Sequence, residues 1–194
     1  MSLLVVGLLV FLGVHSVRIV AEPWRQGMRA RVGENAWKGA YSLASAAGLA
    51  LIVWGYALSR QAPMALWQPM GWARHVASAL TWLSFVLLTA AYVPGNGLKA
   101  RLGHPMLIGV ALWALAHLLA NHTLADLLLF GGFLAWSLLC LRAAMARDAA
   151  AAARASPGRA LPTLVTVLAG SGAWAAFALW AHAAWLGVRP FASS

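Results

Sequence analysis

The chain has 194 residues, 62% hydrophobic and 9% charged, with 14 Lys and Arg against 4 Asp and Glu for a formal charge of +10. Soluble domains carry about 25% charged residues, and disordered chains lack this apolar content. Both classes are excluded, and an integral membrane protein remains. The basic excess does not indicate nucleic acid, because the cations fall in short gaps between apolar stretches, as the positive-inside rule produces.

Charge-free stretches cover 1–17, 39–59, 75–98, 102–125, 127–141 and 160–188. A helix needs about 20 apolar residues to cross the hydrocarbon core. The sequence therefore predicts an all-α polytopic membrane protein. Six transmembrane helices, at 3–20, 38–59, 74–93, 104–121, 124–146 and 161–187, form one bundle in a single domain over 1–194.

The first helix is expected to stay uncleaved, since nothing basic precedes it and the basic residues follow it. Phe11, His15 and Arg18 share one of its faces. In the second, Ala40, Ala44 and Gly48 form a small-residue stripe expected to allow close packing. Pro94-Gly95-Asn96-Gly97 ends the third. Pro105 suits the first turn of the fourth, with His104 just before it, and Trp113 and His117 share a face further along. Asn121-His122-Thr123 is a tight turn, with Thr123 and Asp126 fitting a capping pattern for the fifth helix. The Ala-rich residues 143–155, with Arg147 and Arg154, are expected to extend that helix until Ser156-Pro157-Gly158 stops it. Cys140 stands alone in an apolar run and reads as a packing residue. Trp24, Trp37, Trp67, Trp72 and Trp185 fall near span ends, as an aromatic belt does. Trp54, Trp82, Trp113, Trp136 and Trp174 lie deeper, as packing residues or as the lining of a large planar cofactor.

Orientation follows from the cations. The odd-numbered loops and their flanks hold Arg18, Arg25, Arg29, Arg31, Lys38, Lys99, Arg101, Arg142, Arg147, Arg154 and Arg159, eleven in all; the other side has Arg60, Arg74 and Arg189. That split places the odd loops in the cytoplasm and both termini outside.

Six histidines occur, His15, His75, His104, His117, His122 and His182, while carboxylates inside the spans are essentially absent. A carboxylate-based proton pump, a glycosidase and an Asp/Glu metal cage are thereby disfavoured, and no phosphate loop or nucleophile elbow is present. Neutral imidazoles in an apolar interior suit haem b, whose iron takes axial histidines and whose macrocycle fills a slot between helices. His75 and His122 sit at span ends and read as interfacial. His15, His104, His117 and His182 are the candidate iron ligands. Trp113 is a candidate wall, and Arg18 either pairs with a haem propionate or snorkels to the surface. His104 lies thirteen residues before His117, so about 20 Å away along a helix, too far for one iron to take both. By depth, His15 pairs with His104 and His117 with His182, which two haems would satisfy.

The run GHPMLIGVALWALAHLLANHTLADLLLFGGFLAWSLL from Gly103, the opening LVVGLLVFLGVHSVRI, the segment VGENAWKGAYSLASAAGLALIVWGY and the closing AHAAWLGVRPF resemble the NnrU family of bacterial membrane proteins. That resemblance implies a link to denitrification and nitric-oxide metabolism. The family is also similar to the 15-cis-zeta-carotene isomerase of plants and cyanobacteria, a haem b membrane enzyme, which implies His117 and His15 as iron ligands. His104 and His182 match further histidines of the wider family. Where the isomerase has a cysteine proposed as an alternative ligand, this chain has Ala114, which argues against ligand-switching chemistry.

Three functions follow as expectations. The first is a haem b protein, with one or two haems per chain, in redox or nitric-oxide-linked metabolism, meeting a small gas or a lipid-soluble substrate. The second is a haem-dependent cis–trans isomerase of a polyene. The third is a non-enzymatic assembly factor for respiratory N-oxide enzymes, partnered by respiratory membrane proteins. Few intramembrane charges disfavour an ion-coupled transporter.

Overall fold

The structure is a computed structural model that describes residues 1–150 and 157–191. Among them the regular secondary structure is all helix, apart from two isolated bridges, Ala65 with Thr123 and Asn96 with Arg159. The helices are α1 (Ser2–Val20), α2 (Glu22–Val32), α3 (Glu34–Ser59), α4 (Ala73–Tyr92), α5 (Gly97–Leu102), α6 (Pro105–Ala120), α7 (Leu124–Ala150), α8 (Ala160–Ala176) and α9 (His182–Leu186). A π-helical turn, Phe177–Ala181, joins α8 to α9 in one run. Five helices are long and apolar enough to cross a membrane: α1, α3, α4, α7 and the run Ala160–Leu186. The sixth expected span, α6, is apolar but only 16 residues long. Pro105 at its start and extended Asn121 after its end fix those limits. Helix α7 carries the expected extension as far as Ala150, while Arg154 and Ser156 lie outside the described residues.

Two helices were not anticipated. Helix α2 occupies the first loop, linked by Ala21 and Gly33 alone. Pro23 stands in its first turn beside Glu22, and Arg29 and Arg31 in its last turn oppose the helix dipole. Gly33 takes φ 86°, a turn that side chains resist. The short α5 is capped by Asn96, whose side chain accepts from the Lys99 amide at 2.8 Å.

The chain folds as two compact units. The first holds residues 1–68 and 122–136, with α1 packed along α3. The close contact runs through Gly7, Gly48 and Gly55, where a Cβ would meet the backbone of Leu51 and Ile52, of Phe11 and of Leu4. The anticipated stripe is thus corrected: Gly48 is buried, but Ala44 is half-exposed and Ala40 exposed. The buried face continues instead through Ile52, Gly55 and Ser59. The first half of α7 joins this pair through Gly132 beside Leu8 and Leu12, and through Phe130 beside Tyr56.

The second unit holds residues 69–121 and 137–194, and α4 packs against α6 and α8. Ser84 is fully buried and donates to the Gly109 carbonyl at 2.7 Å, at the point where a side chain on Gly109 would crowd α4. Gly170 brings α8 against the backbone of Val86. Trp82 and Trp174 hand their indole N–H groups to Ser171 and Thr81 at 2.9 and 3.1 Å. These interhelical bonds satisfy polar groups that lipid could not.

Candidate functional site

Residue chemistry again centres on the histidines. His15 lies in the first unit, and His104, His117 and His182 in the second. No group of three or more His, Cys, Asp or Glu side chains converges among the described residues. An all-protein metal cage therefore has no donors there, whereas haem iron needs only one or two axial ligands.

His15, two-thirds along α1, is half-buried among aromatic rings. Phe11 stacks on it with ring centres 4.3 Å apart, Tyr41 of α3 meets it edge-on at 5.3 Å, and Trp136 of α7 at 6.1 Å and 88°. Phe133 completes the cluster against Phe11 and Trp136. His15 Nδ1 lies 2.7 Å from the Phe11 carbonyl oxygen. A carbonyl only accepts, so Nδ1 carries the proton and the neutral ring keeps its lone pair on Nε2. Metal-ligating histidines are commonly oriented this way, the second nitrogen fixed by an acceptor. Arg18, one turn on, is exposed.

His117 repeats the arrangement in the last turn of α6. Its Nδ1 lies 2.8 Å from the Trp113 carbonyl, and the two rings sit 5.1 Å apart. Trp113 is thus the neighbour that the shared face implied. The His117 carbonyl accepts from the Asn121 side chain, which ends the helix. One turn earlier, Ala114 is fully buried and offers no ligating atom. His182 opens α9 directly after the π turn, a feature frequent at functional sites. It donates Nδ1–H to the Val188 carbonyl at 2.8 Å and meets Phe177 edge-on.

His104 differs. It is the residue before α6, at the opposite end of that helix from His117, so the two are about 20 Å apart. Its Nε2 faces Asp148 Oδ2 at 2.9 Å, at ion-pair distance but without hydrogen-bond alignment. Asp148 has no signal in the sequence near His104, since the two stand far apart in the chain and only the fold brings the end of α7 to the residue before α6. His75 is exposed, and His122 serves the backbone, its carbonyl accepting from the Leu66 amide.

One further feature was invisible in the sequence. The indole N–H of Trp136 is buried and has no hydrogen-bond acceptor among the described residues. Such a group is costly to leave unpaired. The His15 cluster thus offers an imidazole held with its lone pair on Nε2, aromatic neighbours and an unsatisfied donor.

A family model described as NnrU protein matches residues 3–190. Comparison with curated proteins and with solved structures finds no match.

Proposed function

The chain belongs to the NnrU protein family, and from that premise we propose a haem b-binding protein of the bacterial inner membrane, acting in redox or nitric-oxide-linked metabolism. The observation that carries this reading is the shared geometry of His15 and His117. Each gives Nδ1–H to the carbonyl four residues back and stands against an aromatic ring. In this reading each would hold the iron of a bound haem, with His182 as a further donor. Arg18 answers propionate charge near His15. His104 is kept as a candidate ligand whose competing partner is Asp148. Bound haem would supply one-electron chemistry or an iron that takes up a small gas. The chain itself supplies orientation of the imidazoles and an apolar surround that excludes water.

The test is a reduced-minus-oxidised spectrum of the purified full-length protein, with haem counted per chain, for the wild type, His15→Ala and His117→Ala. A b-type spectrum diminished in either variant supports the reading. A protein without haem, even after reconstitution, overturns it and leaves an assembly role among respiratory proteins as the account to test.

A further inference from the structure

The tryptophans that lie deeper in the spans are not equivalent. Trp82 and Trp174 each place the indole N–H on a hydroxyl of a neighbouring helix. Trp54 is 60% exposed, so its N–H needs no internal partner. Trp136 alone among these has a buried N–H and no acceptor among the described residues. Its ring neighbours are Phe133 and His15, at 6.4 and 6.1 Å between centres. Phe133 has no hydrogen-bonding side chain, and His15 does not receive the bond. In an apolar interior no water is at hand to take this hydrogen, and an unmade bond there forfeits the full desolvation cost.

We propose that Trp136 Nε1–H is a hydrogen-bond donor to a carboxylate of the group bound at His15. This rests on the haem reading above and deepens it. The strong acceptors on haem b are its two propionates, and a charged acceptor makes the stronger bond. Arg18 lies three residues after His15 on the same face of α1 and supplies a cation for the same negative charge. Trp136 is therefore a ligand-binding residue, where its sequence context reads first as packing.

The experiment titrates haem-free, detergent-purified full-length protein with haem and with haem dimethyl ester, for the wild type and Trp136→Phe. The expected result is haem binding weaker by about tenfold or more in Trp136→Phe. Wild type should bind haem more tightly than the ester, and the variant should lose the part of that preference that Trp136 supplies, keeping the part due to Arg18. The haem-free variant should unfold no earlier than wild type, because it loses an unpaired donor and no made bond. Equal haem affinity in both proteins overturns the proposal while the haem reading stands. So does wild type binding acid and ester alike, a comparison that needs no variant to fold. A wild type that takes up neither compound overturns the haem reading and this inference with it.

Discussion

All four carboxylates in this chain are engaged, and each engagement has its own chemistry. Glu34 pairs with Arg29 and Lys38, Asp148 faces His104, Glu22 holds Arg25, and Asp126 caps α7. Asp126 is 4% exposed and accepts from Tyr56 Oη at 2.5 Å, and from the Thr123 hydroxyl and amide at 2.6 and 2.9 Å. Tyr56→Phe removes one of three donors from a buried group, so it should cost about 1–3 kcal/mol, read as an earlier thermal unfolding in detergent. Unchanged unfolding would show that the remaining donors suffice. Glu22 is held down to about 2 by its hydrogen bonds from Arg25 and Gln26, against an ordinary 4.5. A lowered carboxylate pKa stabilises the fold above the ordinary value and loses that contribution as pH falls through the lowered one. Protection factors of the α2 amides, taken relative to the intrinsic exchange rate at each pH, should therefore be flat near neutrality and fall between about 4.5 and about 2, and Glu22→Gln should flatten that dependence. The Thr123–Asp126 cap was legible because its atoms are three residues apart. Tyr56 and Asp148 were not, because they stand 70 and 44 residues from their partners and only the fold brings them there.

At the scale of helices, hydropathy located every long apolar element, and small-residue spacing found the right helix and one true contact, Gly48, but placed the stripe too near the start of the helix. Ala40, Ala44 and Gly48 repeat every four residues, yet α3 presents Gly48, Ile52 and Gly55 to α1. The reason is steric: backbones approach closest where no Cβ intervenes, and alanine does not substitute for that. Two substitutions of one kind should then differ in sign. Gly55→Ala forces a methyl against the Leu4 backbone, which overpacking puts at about 1–3 kcal/mol of destabilisation. Gly39→Ala meets nothing within 4 Å on the same helix and should gain up to about 1 kcal/mol from helix propensity. Thermal unfolding of the two variants beside wild type measures both, and equal effects would refute the close-approach account. Helix α2 escaped notice because its 11 residues are too short and polar for a hydropathy signal; its terminal charges were the available clue. The π turn before His182 left no trace in composition, since Phe177–Ala181 reads as more of the same apolar helix.

For the whole molecule, the decisive element is α6. Its 16 residues rise about 24 Å, against a hydrocarbon core of about 30 Å, so length alone does not make it a crossing. Charge does. If α6 crosses, the cytoplasmic side holds eleven cations and the periplasmic side Arg60, Arg74 and Arg189. If it does not, Arg142, Arg147, Arg154 and Arg159 move outside and Arg189 moves inside, leaving eight against six. The positive-inside bias then all but vanishes. A crossing α6 also sets its polar flanks, His104 and Asn121, at opposite surfaces, where a locally thinned bilayer can meet them. Reporter fusions after Lys99 and after His122 should accordingly give opposite sides, cytoplasmic and periplasmic, with both termini periplasmic. Fusions reporting one side at both positions would make α6 a buried half-span. His117 would then lie on the same side of the membrane as His104, and the pairing of histidines by depth would have to be redrawn around that geometry.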